Sequence, residues 1–85
     1  MRSVSFHQKA WDQFVSWQSQ DPKLAARLTR MISDLRREPF IGIGKPEPLK
    51  NELRGYWSRR INDEHRLVYS VSEAAILIIS CRDHY

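Results

Sequence analysis

The sequence predicts an α+β fold, with an N-terminal helical hairpin packed on one face of a small, mostly antiparallel four-stranded sheet. Three observations predict it. Apolar residues recur at the helical period from Ala10 to Leu35. A stretch rich in proline and glycine, Pro39 to Leu49, then breaks that pattern. Beyond Gly55 come three runs of β-branched and aromatic residues separated by short polar turns.

Taken in order, residues 2–6 alternate weakly and read as a short first strand able to join the sheet at an edge. Ser5 followed by Gln8 matches a capping box, which starts a helix there. On that helix Trp11, Phe14, Val15 and Gln18 share a face, flanked by Ala10 and Trp17. The aromatic stripe Trp11, Phe14 and Trp17 reads as core or partner-binding surface before a base-stacking platform. Asp21–Pro22 is a restart signal, an N-cap carboxylate with proline at the first helical position. The second helix places Leu24, Leu28, Met31, Ile32 and Leu35 on one stripe, and Glu38–Pro39 closes it because the residue before proline avoids helical angles. Pro46 and Pro48 bracket Glu47 and limit where its carboxylate can point. Strands are expected over 56–61, 65–71 and 75–82, joined by turns at 62–64 and 72–73.

With 85 residues the chain reads as one domain, 1–85, burying ~60–65% of its unfolded surface. Hydrophobic residues at 41% and charged residues at 28% exclude a disordered chain. No stretch resembles a signal peptide and no apolar run approaches the ~20 residues that span a bilayer, so a cytoplasmic protein without membrane contact is expected. The lone Cys81 excludes an intrachain disulfide, fits a reducing compartment and sits in an apolar run that marks it as core. Net charge is +4, and arginine supplies ten of the fourteen basic residues. Arginine favours forked contacts to phosphate, so nucleic acid is the first partner class to consider.

Period-two geometry sorts the basic residues of the strands. Trp57, Arg59 and Ile61 face one way; Tyr56, Ser58 and Arg60 face the other. Arg66, Val68 and Ser70 oppose His65, Leu67, Tyr69 and Val71, which makes His65 structural. Helices can cover one face of such a sheet, leaving the other as a basic surface that Arg60, Arg66 and Arg82 are candidates to line. The strand running to Arg82 is expected to deliver His84 and Tyr85 to a fixed place. Lys45, Glu47, Lys50, Arg59, Arg60, His65 and Arg66 lie in segments able to fold back beside them. One carboxylate, one imidazole and a surplus of arginines are the parts for cutting RNA without metal or cofactor. The competing reading from composition is a frayed terminus beside a solvated basic face.

Four blocks carry a resemblance: Lys45–Lys50 (KPEPLK), Gly55–Ile61 (GYWSRRI), Glu64–Tyr69 (EHRLVY) and Cys81–Tyr85 (CRDHY), supported by Trp11, Trp17 and the stretch Arg36–Phe40. Together they resemble the YoeB (Txe) family of the RelE-like superfamily, toxins of type II toxin–antitoxin modules, over nearly the whole chain. The resemblance implies the RelE-like, microbial-RNase-like α+β fold and cleavage of messenger RNA in the ribosomal A site. It assigns Glu47, Arg66, His84 and Tyr85 to the catalytic group and Lys50 and Arg60 to substrate phosphate, beside which Arg59 and Lys45 stand as further substrate-binding candidates. It implies a YefM-type antitoxin partner whose acidic segment folds on the basic surface, the ribosome as second partner, operator DNA contact through the antitoxin only, and an open question of homodimerisation.

The chemistry stands on its own terms. Transesterification needs a base for the 2′-hydroxyl proton, an acid for the departing 5′-oxygen and a cation to hold charge on the phosphorane. A glutamate such as Glu47 is an acceptor near neutrality, and an imidazole such as His84 titrates there, suiting it as general acid. Arg66 stays charged and can fork onto non-bridging oxygens. Tyr85 is able to orient the phosphate or stack on a base. Two alternatives stay open: a ParE-like gyrase inhibitor, against which the Glu, Arg and terminal His-Tyr set argues, and an RNA- or ribosome-binding module that inhibits by occupancy.

Overall fold

The computed structural model describes residues 1–83, so the expectations for His84 and Tyr85 lie outside the described residues. The elements follow as β1 (Ser3–Phe6), α1 (Gln8–Gln20), α2 (Pro22–Arg37), β2 (Glu47–Pro48), a single 3₁₀ turn (Asn51–Leu53), β3 (Tyr56–Arg60), β4 (Arg66–Val71) and β5 (Ala75–Ser80). The sheet has five strands in the order β1-β5-β4-β3-β2, one more than the sequence suggested. The addition is β2, two residues long, which pairs antiparallel to β3 through Glu47 opposite Ser58 and Pro48 opposite Trp57. Edge position is what makes a proline tolerable there, since only one side of the strand needs donors. β1 is the other edge and runs parallel to β5, while β3, β4 and β5 form the expected antiparallel meander.

α2 forms as its pattern dictates. Asp21 Oδ1 accepts the Leu24 N–H at 3.1 Å, and Pro22 occupies the first helical turn. Leu24, Leu28, Met31 and Leu35 are buried along one stripe, with Ala25 beside them. Arg36 and Arg37 fall in the last turn, where positive charge favours the helix dipole.

α1 differs from expectation in two respects. Its cap is His7, whose Nδ1 accepts the Lys9 N–H at 3.2 Å, and not Ser5. Ser5 is paired opposite Leu77 within β1, and the His7 N–H still bonds Ile78 O at 2.9 Å, so the chain is held in the sheet until His7. The buried face is set by Ala10 and Trp17, one heptad apart, with Trp11 and Val15 left about half exposed and Gln18 exposed. Trp17 decides that rotation: its indole N–H donates to Cys81 O at 2.9 Å, and its ring packs edge-on against His65 at 4.7 Å. Trp11 and Phe14 instead gather on Phe6 with ring centroids 5.4–5.7 Å apart.

Both helices bury their stripes against Ile61, Leu67, Tyr69, Ile76 and Ile78, which places the core on one side of the sheet. Cys81 closes the core as expected, its Sγ 3.6 Å from Ala10 O, and burial pushes its thiol up to about 12. No helix among the described residues is long and apolar enough to cross a membrane.

Candidate active site

Cross-strand partners share a face of the sheet, so the register decides what the helix-free face displays. Glu47 pairs with Ser58, Ser58 with Val68, and Arg60 with Arg66. This row carries a carboxylate, a hydroxyl and two guanidinium groups onto the open side. Arg66 Nη1 donates to Glu47 Oε1 at 3.0 Å and to Ser58 Oγ at 3.2 Å. Arg66 is one-quarter exposed and Glu47 about half exposed. The pair is thus held by three strands and still open to a ligand from solvent. A guanidinium so placed can exchange one contact from carboxylate to phosphate without moving its stem.

The other basic candidates divide. Lys50 is exposed at the start of the 3₁₀ turn, in an open depression of about 730 Å³ that it shares with Glu47, Leu49 and Glu52. Lys45 is exposed at φ +51° and shares a second depression, of about 310 Å³, with Arg27 and Arg60. Arg60 is on the open face and meets Asp63 at 3.0 Å, an exposed pair that costs little to open.

Arg59 is not on this surface. It faces the helices with Trp57 and Ile61, as alternation requires, and is fully buried. Each of the five N–H donors of its guanidinium has a partner. Nε reaches Tyr69 Oη at 3.1 Å; Nη1 reaches Asp34 Oδ2 at 2.7 Å and Ile43 O at 3.0 Å; Nη2 reaches Glu38 O at 2.6 Å and Ile41 O at 2.9 Å. No donor is left for a substrate, so Arg59 leaves the substrate-binding group and joins the scaffold. Its hydrogen bond and charge hold the Asp34 carboxyl below the usual carboxylate range, against the opposing effect of burial. Burial raises the Tyr69 phenol, which stays protonated and donates to Pro39 O at 2.7 Å.

The loop that wraps Arg59 needs its glycines. Gly42 sits at φ +126°, and a Cβ there would run into the Asp34 carboxylate; Gly44 sits at φ +84° against Met31 and Arg60 O. Gly44 O in turn accepts the Arg60 N–H at 2.6 Å. Buried Arg59 thereby fixes the loop whose continuation, β2, carries Glu47.

Arg82 also departs from expectation. β5 ends at Ser80, so strand alternation does not reach Arg82. Its guanidinium stacks 3.8 Å from the centroid of Trp17 and donates to Gln20 Oε1 at 2.6 Å, which places it beside α1 and away from the open face. His65 is buried, as the alternation implied. Its Nδ1 accepts the Asp83 N–H at 2.7 Å, a link between β4 and the chain end that sequence reasoning missed. The signal available was the adjacency of His65 to Arg66 and nothing more. Glu64, His65 and Asp83 also form the only three-donor group with metal-ligand spacing among the described residues. One ring nitrogen is already taken by the Asp83 amide, so the cluster is accounted for as a clamp.

Residues 6–85 match the family described as YoeB-like toxin of bacterial type II toxin–antitoxin system. The chain is similar to the toxin YoeB of Mycobacterium bovis, 54% identical over the full length of both chains. Among solved structures it is similar to a YoeB/ParE toxin from Agrobacterium tumefaciens, with TM-score 0.93 and 42% identity over 98% of this chain and 99% of that one. It is also similar to the Staphylococcus aureus YoeB in complex with YefM, with TM-score 0.89 and 40% identity over 100% and 99% of the two chains, and to the same toxin as a dimer, with TM-score 0.90 and 41% identity over 99% and 98%.

Proposed function

The chain belongs to the YoeB-like toxins of bacterial type II toxin–antitoxin systems, and we propose that it inhibits translation by cutting messenger RNA in the ribosomal A site. The reaction is transesterification by the 2′-hydroxyl. The observation that carries this reading is the Arg66–Glu47 contact, 3.0 Å long, on the face of the sheet that the helices leave open. A base and a phosphate-binding cation are side by side there, which is the minimum the chemistry needs on its attacking side.

In the proposed mechanism Glu47 takes the proton of the 2′-hydroxyl and the 2′-oxygen attacks the adjacent phosphorus. Arg66 moves one N–H from Glu47 to a non-bridging oxygen as charge builds on the phosphorane. The P–O5′ bond breaks, and His84 gives the leaving oxygen its proton. The products are a 2′,3′-cyclic phosphate and a 5′-hydroxyl. Tyr85 orients the phosphate or stacks on a base, and Lys50, Arg60 and Lys45 hold flanking phosphates. Asp83 O accepts the Arg66 N–H at 3.1 Å, so the residue bonded to His84 is tied to the residue that carries the cation. By the same reading the partners are a YefM-type antitoxin, the ribosome and a second copy of the chain, as the S. aureus relatives are seen with YefM and as a dimer.

Product analysis of a defined messenger RNA programmed on ribosomes tests the proposal, with wild type and His84→Ala side by side. Wild type is expected to leave fragments ending in 2′,3′-cyclic phosphate, and His84→Ala to lower the rate by about 10²–10⁴-fold. A message with 2′-deoxyribose at the cleaved position should resist both. Ribosomes stalled by wild type with the message intact would replace cleavage by occupancy.

A further inference from the structure

The sheet stops gripping the chain before the chain reaches its proposed catalytic end. β5 closes at Ser80, and from Cys81 onward side chains supply most of the backbone's hydrogen bonds. Gln13 Oε1 accepts the Cys81 N–H at 2.7 Å, and the Trp17 indole donates to Cys81 O at 2.9 Å. Arg82 is pinned between the Trp17 ring, Gln20 and Ser16. Asp83 then turns at φ +62°, a left-handed angle that few residues with a Cβ adopt. Such an angle persists where neighbours over-determine it, and both backbone groups of Asp83 are held. Its N–H donates to His65 Nδ1 at 2.7 Å, and its carbonyl accepts the Arg66 N–H at 3.1 Å.

We infer that His65 is a positioning residue for the proposed cleavage: by accepting the Asp83 amide hydrogen at Nδ1 it fixes the backbone from which His84 and Tyr85 depart. The inference rests on the reading that His84 and Tyr85 belong to the catalytic group. The bond requires an imidazole with its lone pair on Nδ1 and its proton on Nε2. The surroundings hold that ring in place. It is almost fully buried, its plane stands edge-on to Trp17, and Nε2 lies 3.7 Å from the Glu64 carboxylate. The Asp83 carboxylate stays 3.8 Å from Nδ1, beyond hydrogen-bond distance, and leaves that nitrogen to the Asp83 amide. His65 and Arg66 therefore act as consecutive halves of one grip. The first holds Asp83 from the helix side. The second holds it by its backbone while its side chain holds Glu47, so acid and base are referred to the same two residues.

His65→Phe keeps a ring against Trp17 and removes the acceptor, whereas His65→Asn places an amide oxygen where Nδ1 was. On programmed ribosomes His65→Phe should lower kcat by about 10–100-fold with KM unchanged, since a shift of ~1 Å in a reacting group has effects of that size. His65→Asn should recover most of the loss. Amide exchange by NMR should find the Asp83 N–H protected in wild type and His65→Asn, and fast in His65→Phe. The ¹⁵N spectrum of wild type should show His65 unprotonated at Nδ1, a result independent of how the variants fold. Equal losses in both variants would reduce His65 to packing and overturn the inference, as would a protonated Nδ1 or an unprotected Asp83 amide in wild type. A wild type that protects that amide and cuts nothing would instead overturn the catalytic reading and leave only the clamp.

Discussion

Arg59→Met should cost about 3–5 kcal/mol, the usual penalty for removing one member of a buried ion pair. The variant is expected to melt well below the wild type, because a domain of this size has ~5–15 kcal/mol in all. The side chain that replaces the guanidinium fills much of its volume and satisfies none of its contacts. Asp34 loses its nearer counter-ion and keeps only the longer contact to Arg37 at 3.9 Å, and the carbonyls of Glu38, Ile41 and Ile43 lose the donors that hold the loop against α2. No buried side-chain nitrogen or oxygen among the described residues lacks a partner in the wild type, so the variant creates a defect the fold otherwise avoids. Arg59→Lys should fall between the two, since one ammonium cannot reproduce the fork. Urea melts decide the matter: the midpoint should fall with little change in slope. Acid probes the same clamp. The folded Asp34 carboxyl titrates below its ordinary 3.8, so its contribution is complete above that value and is lost as pH falls through the lower, folded one. Asp34→Asn should be less stable at neutral pH and should show less further loss below about pH 4.

Alternation put Arg59 on the same face as Trp57 and Ile61, which is the helix face, yet the residue type pulled the expectation toward phosphate because arginine is so seldom fully buried. What permits burial is a set of acceptors 16 to 25 residues away, Asp34 in the last turn of α2 and carbonyls of a loop whose shape no local pattern encodes. Gly42 and Gly44 were the visible trace of it. β2 was invisible for a related reason, since two residues bracketed by prolines show no period. α1 was misrotated because Trp11, Phe14 and Val15 outweigh Ala10 and Trp17 in apolar mass, while a single indole hydrogen bond to Cys81 decided which face turned inward. Where period and capping agreed, as along α2 and through the β3–β5 meander, elements and faces were legible. Alternation made Arg66 a candidate for the open face and the Pro46–Pro48 segment restricted Glu47, but only the family resemblance grouped the two residues, and their contact comes with β2. The link from His65 to Asp83 joins residues 18 apart through one ring nitrogen, and only coordinates reveal it.

Arg66→Ala should lower cleavage by about 10²–10³-fold, the loss seen when one charge-stabilising donor is removed from a transition state, and should leave the fold nearly as stable as wild type. The two halves of this expectation have separate causes. Most of the stability is spared because half-exposed Glu47 is rehydrated, an open ion pair being worth at most about 1 kcal/mol, and because the backbone N–H that holds Asp83 O is untouched by the substitution. The cost is one donor lost by buried Ser58 Oγ. In the proposed mechanism activity falls because the guanidinium is the charge best placed to follow the phosphorane, and its neighbours cannot replace it. Arg60 on the same face is given to a flanking phosphate there, and Arg59 points into the core. Arg66→Lys should recover only part of the rate, because a point charge cannot bridge Glu47 and a phosphate oxygen at once. Glu47→Gln keeps the hydrogen bond from Arg66 and removes the base, so it should lower kcat while preserving the melting temperature. The decisive comparison is Arg66→Ala, Glu47→Gln and the double variant on programmed ribosomes. Residues that act on the same step give a double variant little worse than the poorer single one. Losses that multiply would assign Arg66 to holding the message and Glu47 alone to the chemistry.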